Sequence, residues 1–139
     1  MNYKIIDIPK INNTKGNIGV IENDTIPYSI KRVFYLFDVP SGAKRGGHAN
    51  KKTHQVLIAI SGSFDVILKD GKSKETITLN RPDKGLLIEN NIWRELENFS
   101  SGSVCLVLAS EEFSEDDYIR NYKEYLSFVQ PCSDCSSNL

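Results

Sequence analysis

Short runs of β-forming residues, each closed by a turn signal, are what most limits the shape this chain can take. KIIDIPKI (4–11), NIGVIE (17–22), SIKRVFYLFDV (29–39), HQVLIAIS (54–61), SFDVILK (63–69), KETITL (74–79), KGLLIE (84–89), IWRELEN (92–98) and SVCLVLAS (103–110) follow one another, with Asn, Gly, Asp or Pro marking most of the breaks. Runs of this length and composition predict an all-β sandwich or barrel. Asp70-Gly71 is a strong hairpin turn between two of them. In 29–39, Ile30, Arg32, Phe34 and Leu36 fall on one face, and Lys31, Val33, Tyr35 and Phe37 on the other. Both faces carry apolar groups, so this strand is expected to be covered on both sides.

After residue 113 the pattern changes. Ser114 reads as an N-cap, followed by the acids Glu115, Asp116 and Asp117. Tyr118, Tyr122, Tyr125 and Val129 then recur at helical spacing. One C-terminal helix is predicted, ended by Pro131, with its tyrosines packed on the barrel and the acids of 111–117 forming a solvated start. The Ser-rich stretch 131–139 is expected to be a loose tail on a single domain spanning 1–130. A chain of 139 residues suffices for one such domain with a real core.

Charge and cysteine usage exclude several function classes. The net charge is −1 with 25% charged residues, a balance that gives no reason to expect nucleic-acid or membrane binding. No apolar run is long enough to cross a bilayer, and the start MNYKIIDIPK lacks the apolar core of a signal peptide. A cytoplasmic location is the expectation. The three cysteines, Cys105, Cys132 and Cys135, do not form a secreted disulfide framework. Cys132-x-x-Cys135 has no second ligand pair and reads as incidental.

The chemistry concentrates in RGGHANKKTHQVLIAISG (45–62), which holds both histidines of the chain, His48 and His54. Alternation along a strand makes His48 and Asn50 project together, with His54 at the same parity if no bulge intervenes. Gly47, His48-x-Asn50, His54 and Gly62 resemble the first motif of the cupin family, which implies a jelly-roll β-barrel. In metal-binding cupins a second motif adds a histidine. The comparable GLLIENNIWREL (85–96) contains none, and two imidazoles with an amide oxygen make a poor ligand set. No metal and no other cofactor is expected. His54 reads as a packing or hydrogen-bonding residue at a strand start.

The resemblance extends further. IPYSIKRVFYLFDV, RGGHANKKTHQVLIAISG, GLLIENNIWREL and VLASEEFSEDDYIRNY together resemble the dTDP-4-keto-6-deoxyglucose 3,4-ketoisomerases, from about Gly16 to Tyr122. This resemblance implies a cupin barrel with one C-terminal helix, a homodimer with exchanged strands, and metal-free transfer of a keto group from C-4 to C-3 of a dTDP-sugar. The products of such enzymes feed dideoxy-amino-sugar synthesis for bacterial surface glycans, lipopolysaccharide among them. It also implies roles in a His-Ala-His pattern: the first histidine as base, the second as proton shuttle. His48 matches the first. Asn50 stands where the second would be, and an amide neither gains nor loses a proton near pH 7. Three readings of Asn50 compete: a natural substitution with water or another side chain as shuttle, an engineered change that traps a ligand, or a catalytically silent nucleotide-sugar-binding cupin. The engineered reading is favoured here, with normal nucleotide binding and poor turnover expected.

A diphosphate calls for cations, and guanidinium groups match phosphate bidentately. Arg32 and Arg45 are the candidate diphosphate contacts, with Lys51 and Lys52 as lesser ones whose bland reading is a solvated charge. Tyr35 is a candidate donor to the sugar, or simply an amphipathic strand residue. Trp93 lines the pocket or belongs to the core, and core is the commoner place for a lone strand tryptophan. In the resembled family, product configuration varies with the residues matching Arg94 and Lys15. Arg94 is similar to the gluco-forming type, whereas Lys15 matches neither type.

Overall fold

The computed structural model describes residues 1–130. The expected tail, with Cys132 and Cys135, lies outside the described residues. The described residues form β1 (Tyr3–Asp7), β2 (Lys10–Ile11), β3 (Ile18–Gly19), β4 (Arg32–Leu36), β5 (Arg45–Asn50), β6 (Gln55–Ser61), β7 (Phe64–Lys69), β8 (Lys74–Leu79), β9 (Lys84–Ile88), β10 (Trp93–Glu97), β11 (Val104–Ala109), β12 (Tyr118–Ile119) and one α-helix, α1 (Tyr122–Val129). Two five-stranded sheets face each other, ordered β1-β9-β6-β11-β4 and β12-β5-β10-β7-β8, and β2 pairs with β3 in a separate hairpin. Every pairing is antiparallel. This is the cupin jelly-roll that the strand pattern and motif predicted.

Inward-facing residues of both sheets make the principal core: Leu57, Ala59, Phe64, Val66, Leu68, Leu86, Ile88, Leu96, Cys105 and Val107 are all buried in one cluster. A second cluster, with Val56, Ile58, Leu87 and Leu108, lies on the other face of the first sheet under Ile8, Ile26 and Tyr28. The Tyr28 hydroxyl donates to the Leu108 carbonyl at 2.5 Å and pins that cover. The third cluster packs Tyr125 of α1 against Ala49, Trp93 and Ile119.

Three expectations are corrected. The first run is two strands, because Pro9 cannot donate to a ladder and interrupts it. The helix begins at Tyr122, not after Ser114. Residues 115–117 form a single 3₁₀ turn, and the helix cap is Asn121, whose side chain accepts from the Glu124 N–H at 3.1 Å. Tyr118 and Ile119 are instead strand residues, paired with Asn50 and Ala49 of β5. The strand β4 is covered on one face only: Val33, Tyr35 and Phe37 are 56%, 59% and 59% exposed on the other.

Candidate active site

Between the two sheets, at the end nearer β4 and β12, the packing leaves a cavity of about 310 Å³. Phe34, Leu36, Leu57, Leu96 and Val107 form its apolar wall, and His48, Gln55, Arg94, Tyr118, Arg45 and Arg120 supply its polar groups. Local backbone geometry sets the aim of these side chains. Gly46 has φ of 75°, and a Cβ there would sit 2.8 Å from Leu96 Cδ1. The β5–β10 register shifts at this point, a bulge that only glycine accommodates. Beyond it, His48 lies directly opposite Arg94, and both are turned to the cavity.

Arg94 is 1% exposed. Its Nη1 donates to Gln55 Oε1 at 2.6 Å and its Nη2 to the Ile92 carbonyl at 3.1 Å, while Nε has no partner. Both partners are neutral. Burial lowers the guanidinium to about 10, so it remains charged at neutral pH. A buried cation whose hydrogen bonds go only to neutral acceptors is costly. It is suited to a place where negative charge arrives or develops.

The same field acts on His48. Burial, then the Arg94 and Arg120 charges, lower its pKa from 6.5 to about 3, against the opposing pull of Asn50 and Asp117. The expected base of ordinary basicity is thus an imidazole held neutral. Its Nε2 is buried and unpartnered, so the lone pair or proton it carries is not committed to the protein.

Asn50 is fully buried, and its Nδ2 donates to Asp117 Oδ2 at 3.0 Å. Asp117 also accepts from Thr53 Oγ1 at 2.5 Å and from the Lys52 backbone N–H at 2.6 Å. Burial pushes the Asp117 carboxyl up, but these hydrogen bonds outweigh it and hold the group below the usual carboxylate value. Asp117 is therefore a buried anchor, not the solvated helix start expected for residues 111–117. It orients the Asn50 amide so that Oδ1 points away from the carboxylate, and that oxygen has no hydrogen-bond partner.

Other expected site residues are distributed unequally. Arg45 lines the cavity mouth. Arg32 stands behind Tyr118, donating from Nη2 to its hydroxyl at 3.0 Å, with its guanidinium over the Phe34 ring. Lys52 lines a separate external depression with Lys31 and Lys51. Trp93 points the opposite way from Arg94, into the cluster under α1, with its Nε1–H donated to Glu95. Tyr35 projects from the outer face of β4 against Phe37. Lys15 sits in the exposed turn between β2 and β3. The structure does not bring Trp93, Tyr35, Lys15 or Lys52 to this cavity. His54 is a packing residue, accepting at Nδ1 from the Asn90 N–H at 3.1 Å. Sequence reasoning missed Gln55, Tyr118 and Arg120 as cavity residues. Tyr118 and Arg120 lie in the DDYIRNY stretch, where helical spacing concealed the strand.

Comparison with known proteins gives a consistent picture. The family model described as FdtA: WxcM-like, C-terminal matches residues 1–130. A TDP-4-oxo-6-deoxy-alpha-D-glucose-3,4-oxoisomerase from Aneurinibacillus thermoaerophilus is 44% identical over 130 residues, covering 93% of this chain and 94% of that protein. The crystal structure of QdtA, a sugar 3,4-ketoisomerase from Thermoanaerobacterium thermosaccharolyticum in complex with TDP, is 42% identical with a TM-score of 0.91, over 93% of this chain and 95% of that one. A histidine-to-asparagine variant of the same enzyme holds TDP-4-keto-6-deoxyglucose. The WlaRB TDP-quinovose 3,4-ketoisomerase from Campylobacter jejuni is 50% identical with a TM-score of 0.85, over 90% of this chain and 97% of that one.

Proposed function

Since the chain belongs to the FdtA, WxcM-like C-terminal family, we propose that it is a TDP-sugar 3,4-ketoisomerase that moves the keto group of TDP-4-keto-6-deoxyglucose from C-4 to C-3. The observation that carries the reading is the pairing of His48 with Arg94 across β5 and β10. A neutral imidazole takes the C-3 proton, and the electrons pass to the C-4 oxygen. That oxygen becomes an enediolate, for which the buried guanidinium is a preorganised partner. Proton transfer between the two oxygens and protonation at C-4 complete a redox-neutral isomerisation.

The cavity volume suits the hexose alone, so the nucleotide extends through the mouth. Arg45 and Arg120 stand there and supply the diphosphate contacts. Arg32, tied to Tyr118, serves the sugar end instead. The gluco-configured product is our assignment, supported by Arg94 in the cavity and by the TDP-quinovose enzyme among the relatives. The cytoplasm, where nucleotide sugars are made, is the proposed location. A homodimer with exchanged strands is the proposed assembly, supported by the open apolar face of β4.

Asn50 supports a second reading, a binder of nucleotide sugars without turnover. Incubation with TDP-4-keto-6-deoxyglucose in heavy water, followed by NMR of the sugar, separates the two. Deuterium entering at C-3 and appearance of the 3-keto sugar are expected of the isomerase. Tight binding of TDP with neither change would establish the binder.

A further inference from the structure

Isomerisation at this site, on which the following rests, needs a second group that can both give and take a proton. The first, His48, works at carbon. The second must work at the two oxygens. Asn50 cannot, because its amide does not titrate and its Nδ2 is held by Asp117. Of the polar residues lining the cavity, Gln55 is an amide, and Arg45, Arg94 and Arg120 carry guanidinium groups, which offer donors and no acceptor. Among the described residues of the lining, Tyr118 is left.

Its placement matches the need. The Tyr118 ring centroid is 4.9 Å from that of His48. On β12 it pairs with Asn50, so the phenol stands beside the position that the resembled enzymes fill with a second histidine. Arg32 Nη2 donates to the Tyr118 oxygen at 3.0 Å, which leaves the hydroxyl proton free for another acceptor. The Arg120 guanidinium lies over the ring, 4.4 Å from its centroid. Arg32 thus donates to the oxygen from which the proton leaves, and Arg120, itself paired with Glu115, covers the ring.

We infer that Tyr118 is the second proton carrier of this enzyme, moving a proton between the C-3 and C-4 oxygens of the sugar. After His48 has taken the C-3 proton, the phenol O–H bond breaks and its proton goes to the C-4 oxyanion. The phenolate then takes the proton of the C-3 hydroxyl, leaving the negative charge on the C-3 oxygen. That oxygen re-forms a carbonyl as His48 returns its proton to C-4. Tyr118 and His48 end as they began, and no oxidant or reductant is consumed.

The test compares the wild type with Tyr118→Phe in heavy water, using TDP-4-keto-6-deoxyglucose. Proton NMR follows C-3 exchange and 3-keto product separately. The wild type is expected to do both. In Tyr118→Phe, C-3 exchange should stay within a few-fold of the wild type, while product formation falls by about 10²–10⁴-fold. The retained exchange also shows that the variant is folded and binds. The double variant Asn50→His, Tyr118→Phe should recover product, because a histidine at 50 supplies a carrier on the neighbouring strand. Product within a few-fold of wild type in Tyr118→Phe would overturn the assignment, as would equal loss of exchange and product. A wild type that neither exchanges nor isomerises would instead defeat the proposed function, and this step with it.

Discussion

His48 and Arg94 occupy opposing positions on β5 and β10, so a neutral imidazole and a buried guanidinium look into one cavity. Burial against the apolar wall penalises the protonated ring, and the neighbouring cations add to the penalty. The pair is complementary to a reaction in which the ring must accept a proton while an oxygen nearby becomes anionic. As that charge grows, it relieves the repulsion between ring and guanidinium. The ring's basicity thus rises when the enediolate forms.

Replacing Arg94 with Gln should therefore change two quantities in a linked way. Loss of the positive charge raises the His48 pKa from about 3 toward its ordinary 6.5, without reaching it, because burial remains the larger cause. Loss of the oxyanion partner lowers isomerisation by roughly 10²-fold or more. NMR titration of the His48 ring measures the first and turnover the second. An unmoved titration midpoint would show that Arg94 does not act on the ring.

The low His48 pKa is also a statement about folding. The group is neutral in the folded chain and free to charge in the unfolded one, so its stabilisation is complete above pH 6.5 and is lost as pH falls toward about 3. Between pH 6.5 and 4.5 this single residue should lower stability by about 2 kcal/mol, since each pH unit is worth about 1.4 kcal/mol once the unfolded imidazole is charged. His48→Asn should flatten the dependence over that window, which lies above the ordinary carboxylate range. Urea unfolding of both proteins at the two pH values gives the comparison.

Strand periodicity explains what could be read from the residues and what could not. Alternation correctly put Arg32 and Phe34 on one face of β4 and Tyr35 on the other. It therefore already implied that Arg32 and Tyr35 could not serve one cavity. Asp70-Gly71 and the flanking runs gave β7 and β8 nearly to the residue. The failure at Tyr118 has a specific origin. The spacing of Tyr118, Tyr122, Tyr125 and Val129 fits a helix, and nothing local reveals that Asp117 is held by Asn50, Thr53 and Lys52 from 64 to 67 positions away. That long-range anchor keeps the chain extended through Tyr118 and Ile119, and Asn121 then starts the helix. The basicity of His48 was equally hidden, because it depends first on burial between the sheets and then on the charges of Arg94 and Arg120, both far along the chain.

Asp117 should be the most sensitive polar residue outside the cavity. Asp117→Asn keeps the shape but replaces a charge-assisted acceptor with an amide whose nitrogen opposes at least one of its three donors. Hydrogen bonds to charged groups contribute about 1.5–3 kcal/mol, so a loss of about 2–4 kcal/mol is expected. Thr53→Ala removes one donor and should cost about 1–2 kcal/mol. Denaturant midpoints measure both. A change below about 0.5 kcal/mol for Asp117→Asn would mean that the network does not anchor β12 to β5.

The outer face of β4 bears on assembly. Val33, Tyr35 and Phe37 are all more than half exposed on an edge strand, and Ile11 and Ile18 of the β2–β3 hairpin are exposed as well. An edge with this much apolar surface is a site for another chain. If a second copy covers it, the wild type sediments as a dimer at micromolar concentration. The pair of substitutions Tyr35→Glu and Phe37→Asp puts charge on that face without touching the cavity wall, which Phe34 and Leu36 supply from the opposite side. The doubly substituted chain should sediment as a folded monomer with an unchanged far-ultraviolet spectrum. A wild type that sediments as a monomer, or a variant that remains a dimer, would place the interface elsewhere or remove it.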